Sequence, residues 1–353
     1  MDSIISDSYA VHFNEEAFKA LNTHLANKKY SIVFILVDEN THELCLPNFM
    51  AEINGEYQFE IIEIESGEIN KNIETCVGVW EALSELGADR KSVLINLGGG
   101  VLTDMGGFIA STFKRGIDFI NVPTTLLSMV DASVGGKTGI DLGALKNQVG
   151  VINQPAMVLV VPDFLDTLEK RQIISGFAEM LKHGLIKDKT YWEALKEAQS
   201  LEHMKSHILT SIQIKNEVVL KDPTEQNIRK ILNYGHTLGH AIESYFLENA
   251  SKEMLLHGEA IAVGMILEGY LSHKILGLSE QSLEDIKSTF LNKYDKVEFS
   301  DTDIENILKL MKYDKKNSHG KVNFVLLKNI GEPVVDVEIP VELFTDAFAY
   351  YKV

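Results

Sequence analysis

Short apolar runs recur through the first half of the chain, set between glycine-bearing turns and helix-periodic stretches. Ser31-Ile-Val-Phe-Ile-Leu-Val37 is apolar at successive positions, so both faces of the strand it forms need cover, as in a parallel sheet flanked by helices. Tyr57-Gln-Phe-Glu-Ile-Ile-Glu-Ile64, Ser92-Val-Leu-Ile-Asn-Leu97, Asp118-Phe-Ile-Asn-Val122 and Met157-Val-Leu-Val-Val161 read as further strands. Between the second and third, Ile73 to Leu86 carries helical spacing. From about Asp163 the pattern changes to long helix-like stretches, with no convincing strand before Lys321-Val-Asn-Phe-Val-Leu-Leu327. The predicted fold class is α/β plus α, with an α/β domain over 1–162, a mostly helical domain over 163–353 and a boundary near Pro162. No internal repeat or low-complexity tract interrupts this plan.

Composition narrows the setting. A length of 353 residues, 45% of them hydrophobic, suits two domains that each bury a core. No apolar run reaches the roughly 18 residues of a membrane span, and Met1-Asp-Ser-Ile-Ile-Ser-Asp lacks the basic start of a signal peptide. Cys45 and Cys76 are too few for a disulfide framework, so a reduced, cytoplasmic setting is expected. The formal charge of −18 argues against a nucleic-acid partner. It also sets a problem for any anionic substrate, because long-range steering would oppose binding unless a local group of lysines and arginines reverses the field.

Candidate chemistry clusters in glycine-rich and histidine-rich segments. The third strand runs into Gly98-Gly-Gly100, with Asp104 four positions later. Glycines between a strand and a helix let phosphates approach the backbone N–H groups, although this is not the GxGxxG spacing. Glu68 and Lys71 follow the second strand, placed either for a ribose or as a solvated i,i+3 ion pair. Gly135-Gly-Lys-Thr138 looks like the end of a P-loop, but the required first glycine is Asp131, so a loop bringing Lys137 and then Lys146-Asn147 to an anion is the expectation. Glu179, His236 and His257 supply one carboxylate and two imidazoles, a usual set for a catalytic Zn²⁺ with an open position. Lys182 shares a helix face with Glu179, and His240 with His236. Gly235 and Gly239 beside the histidines suggest close backbone approach to a ligand. Spacing alone does not decide whether both histidines bind metal.

Together these segments resemble the 3-dehydroquinate synthase family, within the sugar phosphate cyclases. The resemblance is carried by Gly98-Gly-Gly-Val-Leu-Thr-Asp104, Arg115-Gly116, Val122-Pro-Thr-Thr125, Val130-Asp-Ala-Ser-Val-Gly-Gly-Lys-Thr-Gly-Ile140, Lys146-Asn147 and Leu232-Asn-Tyr-Gly-His-Thr-Leu-Gly-His240, in that order. It implies a Rossmann-like N-terminal domain, a helical C-terminal domain and an active site in the cleft between them. It also implies NAD and Zn²⁺ (or Co²⁺) as cofactors. The reaction would convert 3-deoxy-D-arabino-heptulosonate 7-phosphate to 3-dehydroquinate and phosphate, in the shikimate pathway.

By that resemblance Glu179, His236 and His257 bind the metal. Glu68, Lys71, Gly99, Gly100, Val101, Asp104, Thr124, Thr125, Lys137, Lys146 and Thr167 belong to the NAD site. Asp131, Lys137, Asn147, Lys182, Lys215, Arg229, Asn233 and His240 match catalytic or substrate positions, and one of Lys315 and Lys316 joins the phosphate site. Arg115 matches an arginine that reaches a neighbouring subunit, which implies a homodimer. Asp222-Pro-Thr-Glu-Gln-Asn-Ile-Arg229 departs from the family pattern, with Pro223 and Asn227 in place of Glu and Gly. Asn tolerates positive φ better than most residues, so a turn at 227 is expected to survive. The Leu142–Leu145 stretch also departs from the commoner form. Two other classes compete: another cyclase of the 2-deoxy-scyllo-inosose or valiolone type, and a metal-dependent polyol or alcohol dehydrogenase. The cations Lys137, Lys146, Lys182, Lys215 and Arg229 argue against the dehydrogenase, since a neutral alcohol needs no such group.

Overall fold

The computed structural model describes residues 3–143, 145–311, 317–318 and 321–353. The chain divides into two compact units, Met1–Ile173 and Ile174–Val353.

The first unit is built on a seven-stranded sheet. In chain order its strands are β1 (Ile4–Ile5), β2 (Ala10–Phe13), β3 (Val33–Asp38), β4 (Phe59–Ile64), β5 (Val93–Gly98), β6 (Asp118–Pro123) and, after a hairpin of β7 (Lys137–Leu142) and β8 (Leu145–Ile152), β9 (Met157–Val160). The spatial order is β1-β2-β9-β6-β5-β3-β4, parallel except for β1 against β2. Every residue of β5 and β9 is buried, which explains why these strands are apolar without alternation. Helices α1 (Asn14–Lys28), α2 (Glu39–Leu44), α3 (Leu46–Ala51), α4 (Ile73–Glu85) and α5 (Gly100–Thr112) complete the unit. The chain leaves β3 for β4 on one side and places β5 on the other. The carboxyl ends of β3 and β5 therefore mark a topological switch point, where α/β sheets bind ligands.

One expectation needs correction here. The 130–147 region is not a loop: Lys137 opens β7, and Lys146 and Asn147 lie within β8 of an antiparallel hairpin. Its glycines are what allow the pairing. A Cβ on Gly150 would lie 2.2 Å from the Thr138 carbonyl oxygen, and one on Gly139 would lie 2.7 Å from that of Val149. Gly107 serves the same contact from α5, since its missing Cβ makes room for Thr138. Strand β2 is short, lies between β1 and β9, and has no apolar run to announce it.

In the second unit the helices are α6 (Lys170–Lys187, which begins at the boundary), α7 (Lys189–Lys196), α8 (Leu201–Lys221), α9 (His236–Glu248), α10 (His257–Leu276), α11 (Glu280–Leu291), α12 (Asp301–Met311) and α13 (Glu342–Lys352). A small antiparallel sheet of β10 (Asn317–Ser318), β11 (Lys321–Asn329) and β12 (Glu332–Glu338) is added to them. Helix α10 is the centre of this unit, buried on almost every face from Gly258 to Ser272. Helix α9 lies against it with almost no side chain between them. A Cβ on Gly235 would meet Met265 at 2.3 Å, and one on Gly239 would meet Ile261 at 2.7 Å. These glycines, expected to admit a ligand, instead admit the neighbouring helix.

Candidate active site

In the first unit, β5 ends at Gly98 and α5 begins at Gly100, with Gly99 as an N-cap that offers no side chain of its own. The first N–H groups of a 13-residue helix are thus presented beside the switch point. Gly99 is confined by Thr125, whose Cγ2 would lie 3.0 Å from an added Cβ, while Thr124 N donates to Gly98 O at 3.0 Å. This is a cradle that a dinucleotide pyrophosphate fits and a side chain would fill.

A buried ion network stands beside it. Lys71 Nζ donates to Asp104 and to Asn147 Oδ1, both at 2.7 Å, and Lys146 Nζ donates to Glu68 at 2.8 Å and lies 3.5 Å from Asp141. Burial works against the Lys71 ammonium, but Asp104, then Glu68 and Asp141, outweigh it and hold Lys71 well above its ordinary value. Asn147 sits at φ 50°, and its N–H donates to Asp141 Oδ1 at 2.6 Å. Asp141 was not legible as a site residue, although it directly follows the Thr-Gly-Ile segment.

Asp131 lies in the 128–132 turn, half-buried, and Lys137 is exposed at the start of β7. Thr167 donates to Phe164 O at 3.0 Å and hydrogen-bonds the Cys45 thiol, which burial pushes up to about 11. Arg115 lies past the far end of α5, roughly 20 Å from the glycine cradle at the helical rise of 1.5 Å per residue. Lys114, Arg115 and Gly116 all have positive φ there.

In the second unit, α6 carries Glu179 and Lys182, while His236 and His257 are the first residues of α9 and α10. Glu179 is fully buried and its two oxygens have different neighbours. Oε2 pairs with the buried Lys182 ammonium, while Oε1 faces His236 Nε2 at 3.5 Å and His257 Nε2 at 3.7 Å. Ligand atoms around a tetrahedral ion with bonds near 2.0–2.1 Å stand about 3.3 Å apart, so both distances from Glu179 Oε1 are near those of a divalent site, and the ligand atoms of the three residues all lie within 4.8 Å of one another. Glu243 also faces His257, with Oε2 at 3.2 Å from Nδ1. Burial disfavours a charged His257, yet Glu243 and then Glu179 outweigh it and push the imidazole up to about 10. Two buried carboxylates facing these imidazoles favour positive charge at this point, which a proton on His257 or a bound dication can supply. His240 joins Glu243 and His257 in a second candidate group, its ring centroid 5.1 Å from that of His236 and 5.9 Å from that of His257.

Lys215 on α8 and Arg229 in the 228–233 turn are both buried. The Asp222 carboxylate organises the segment before Arg229 by accepting from the N–H groups of Gln226, Asn227 and Arg229. The Arg229 guanidinium donates to Pro223 O at 2.6 Å. The expected positive φ at Asn227 is not found, for its φ is −138°; the left-handed residue is Glu225, at φ 59°. Asp222 draws in successive N–H groups after Glu225, which moves the reversal two residues earlier. Glu225 then accepts from Asn233 Nδ2 at 2.5 Å. Lys315 and Lys316 lie outside the described residues.

A fully buried carboxylate that sequence reasoning missed holds this region together. Glu268 on α10 accepts from Gly235 N at 2.6 Å and Leu238 N at 3.3 Å, so it caps the N-terminus of α9 in place of a local side chain. Glu268→Ala would leave both N–H groups buried without a partner. We expect a loss of about 2–3 kcal/mol in urea unfolding; an unchanged midpoint would show that the cap contributes nothing.

A glycine cradle at a switch point and an N/O donor set on a helical unit define a protein of the dinucleotide-using, metal-dependent class. The chain belongs to the 3-dehydroquinate synthase family. Residues 61–175 match 3-dehydroquinate synthase N-terminal and residues 176–317 match 3-dehydroquinate synthase C-terminal. A 3-dehydroquinate synthase of Parabacteroides distasonis is 42% identical over 336 residues, covering 94% of each chain. Among solved structures, 2-epi-5-epi-valiolone synthase from Streptomyces hygroscopicus subsp. jinggangensis, with NAD⁺ and Zn²⁺ bound, aligns at TM-score 0.83 and 25% identity over 100% of this chain and 99% of its own. A 2-deoxy-scyllo-inosose synthase complexed with carbaglucose-6-phosphate, NAD⁺ and Co²⁺ shares the fold at TM-score 0.85 and 23% identity, with 99% of both chains covered.

Proposed function

We propose that this chain is a carbon–oxygen lyase that converts 3-deoxy-D-arabino-heptulosonate 7-phosphate to 3-dehydroquinate and inorganic phosphate. The observation that carries this reading is the convergence of Glu179 Oε1 with the Nε2 atoms of His236 and His257 in a chain of this family. When bound, NAD⁺ supplies a hydride acceptor for C5 that is restored within the turnover, and Zn²⁺ or Co²⁺ supplies a Lewis acid for the neighbouring C4 and C5 hydroxyls.

The remaining work falls to the chain. Glu179, His236 and His257 hold the ion, and Gly99, Gly100, Val101 and the N–H groups that open α5 take the dinucleotide, with Asp104, Thr124 and Thr125 around it. Lys215 and Arg229 bind the substrate carboxylate, for which a guanidinium offers paired donors and an ammonium a point charge. Asn233, oriented by Glu225, and His240 bind the phosphate and hold it as it leaves. Lys182 places a positive charge beside the ion-binding carboxylate and suits a substrate oxygen in transit.

A homodimer is part of the same proposal. The left-handed turn at 114–116 presents Arg115 outward from its own cradle, and Val149, Val151 and Ile152 of β8 are exposed. The setting proposed is the cytoplasm, because Cys45 and Cys76 are buried free thiols. Among the described residues no helix is long and apolar enough to cross a membrane.

The decisive experiment is phosphate release from the heptulosonate phosphate, with and without NAD⁺ and after chelation. The expected result is release that needs both cofactors, forms 3-dehydroquinate and accumulates no NADH. Lasting NADH accumulation with simple alcohols would mark a dehydrogenase, and a different carbocycle would mark another cyclase. In the same assay Arg229→Ala should raise KM about thirtyfold, near 2 kcal/mol for one lost desolvated charge contact. An unchanged KM would remove Arg229 from the carboxylate site.

A further inference from the structure

We infer that Glu243 is a positioning residue for the metal centre: its carboxylate holds Nδ1–H of His257 and thereby turns Nε2 toward Glu179. This rests on the reading of Glu179, His236 and His257 as the ion's ligands.

The placement follows from helical periodicity. His236, His240 and Glu243 fall at i, i+4 and i+7 of α9, one stripe of that helix. The stripe faces the start of α10, where His257 is the first residue. Glu259 fixes that start by accepting from Leu256 N at 2.7 Å, and Gly258 N donates to Ser175 Oγ at 2.9 Å. The His257 backbone is therefore held on both sides, but its ring still needs a partner to set its rotation.

Glu243 supplies that partner. It is 7% exposed, and its Oε2 lies 3.2 Å from His257 Nδ1. An ionised carboxylate can only accept, so Nδ1 carries a proton, and when the ring gives up its other proton to an ion its lone pair sits on Nε2. His236 is treated the same way by a different group, since its Nδ1 lies 3.1 Å from the carbonyl oxygen of Tyr234, which also can only accept. Both rings thus present Nε2 to the same oxygen of Glu179, at 3.5 and 3.7 Å. The two anchors differ in charge. A carboxylate makes its imidazole a stronger donor than a carbonyl does, and with Glu179 it supplies two negative charges to balance a dication.

A second arrangement is conceivable from the same atoms, because His240, Glu243 and His257 also lie close enough to share an ion. In that case Glu243 would be a ligand, and the chain would bind two ions. The contact of Oε2 with Nδ1 favours the positioning role, since a carboxylate orienting a ring through Nδ1 leaves Nε2 as that ring's ligand atom.

The test is Co²⁺ titration of the chelated full-length chain, followed by visible absorption, with Zn²⁺ competition for tight binding. The wild-type chain should bind one ion, and Glu179→Gln should lose it; failure at that stage overturns the metal-site reading itself, and the Glu243 inference with it. Given that binding, Glu243→Ala should weaken affinity about 100-fold and Glu243→Gln about tenfold, because the amide oxygen still accepts from Nδ1–H. Should Glu243→Ala fail to fold, Glu243→Gln carries the comparison. Wild-type affinity in a folded Glu243 variant, even with a lowered Tm, would overturn the inference while leaving the metal site intact. Two ions bound by the wild type, with only one lost on substitution, would overturn it as well.

Discussion

A Glu179→Gln protein is expected to keep its fold and to lose both its divalent ion and its turnover. The substitution preserves volume at a fully buried position and removes only the charge. An amide offers a neutral oxygen where the site has two imidazole nitrogens aimed at a carboxylate. The Lewis acid contributes several kcal/mol to the chemical step, so phosphate release should fall about a thousandfold or more. Alanine is the less clean choice. Either change removes the buried charge paired with the Lys182 ammonium, 1% exposed, at a cost of about 3–5 kcal/mol, but alanine also leaves that ammonium facing a void, whereas glutamine keeps an oxygen that accepts from it. Metal content by mass spectrometry and phosphate release, measured on one preparation of Glu179→Gln, decide the matter. Full turnover with no bound metal would falsify the ligand assignment.

The sequence revealed most where physical requirements concentrate in neighbouring residues. Strands β3, β5, β6 and β9 were legible because a central parallel strand must be apolar on both faces. The turn at 98–100 was legible for a similar reason, since glycines are needed where an added Cβ would meet Leu102 or Thr125 between the strand and the helix. The β7–β8 hairpin was hidden because glycines that permit close strand pairing look, in one dimension, like a loop. The reversal before Arg229 was misplaced because it is set by the Asp222 carboxylate, whose reach over seven residues no local propensity encodes. Glu243 could have been found from its heptad spacing to His236. Glu268 could not, as its partners lie some thirty residues earlier on another helix.

The net charge of −18 raised a difficulty for an anionic substrate, and the second unit answers it in part. Lys182, Lys215 and Arg229 are all buried there. Lys182 is already paired with Glu179, so the proposed answer rests on Lys215 and Arg229, which in contact with a bound anion would act through a medium of lower dielectric than water, while exposed carboxylates are screened beyond about 10 Å. Long-range steering is thereby given up, and association should be slower than for an electrostatically attracted anion.

Gly264→Ala should be one of the two most damaging single methyls in the second unit, with Gly258→Ala, whose Cβ would stand 1.8 Å from the Ser175 carbonyl oxygen. A Cβ at that position would stand 2.0 Å from the carbonyl oxygen of Gly235 and 2.9 Å from the amide nitrogen of Gly239. Both are backbone atoms, so no side-chain rotation relieves the contact. A carbon–oxygen contact needs about 3.3 Å, and α9 would have to move away from α10 by about 1 Å. That shift would strain the Glu268 cap and carry His236 Nε2 away from Glu179, when metal–ligand distances tolerate only about 0.2 Å. We expect a loss of about 3 kcal/mol or more in urea unfolding, at the upper end of overpacking costs, together with loss of the ion. Gly269→Ala, one and a half turns along the same helix, is the matched control. Its Cβ would meet nothing nearer than 3.5 Å, and alanine is the better helix former by about 1 kcal/mol. The two variants should therefore move stability in opposite directions. Equal stabilities would mean that the α9–α10 contact yields more easily than its backbone distances imply, and that the metal site does not depend on those two helices lying backbone to backbone.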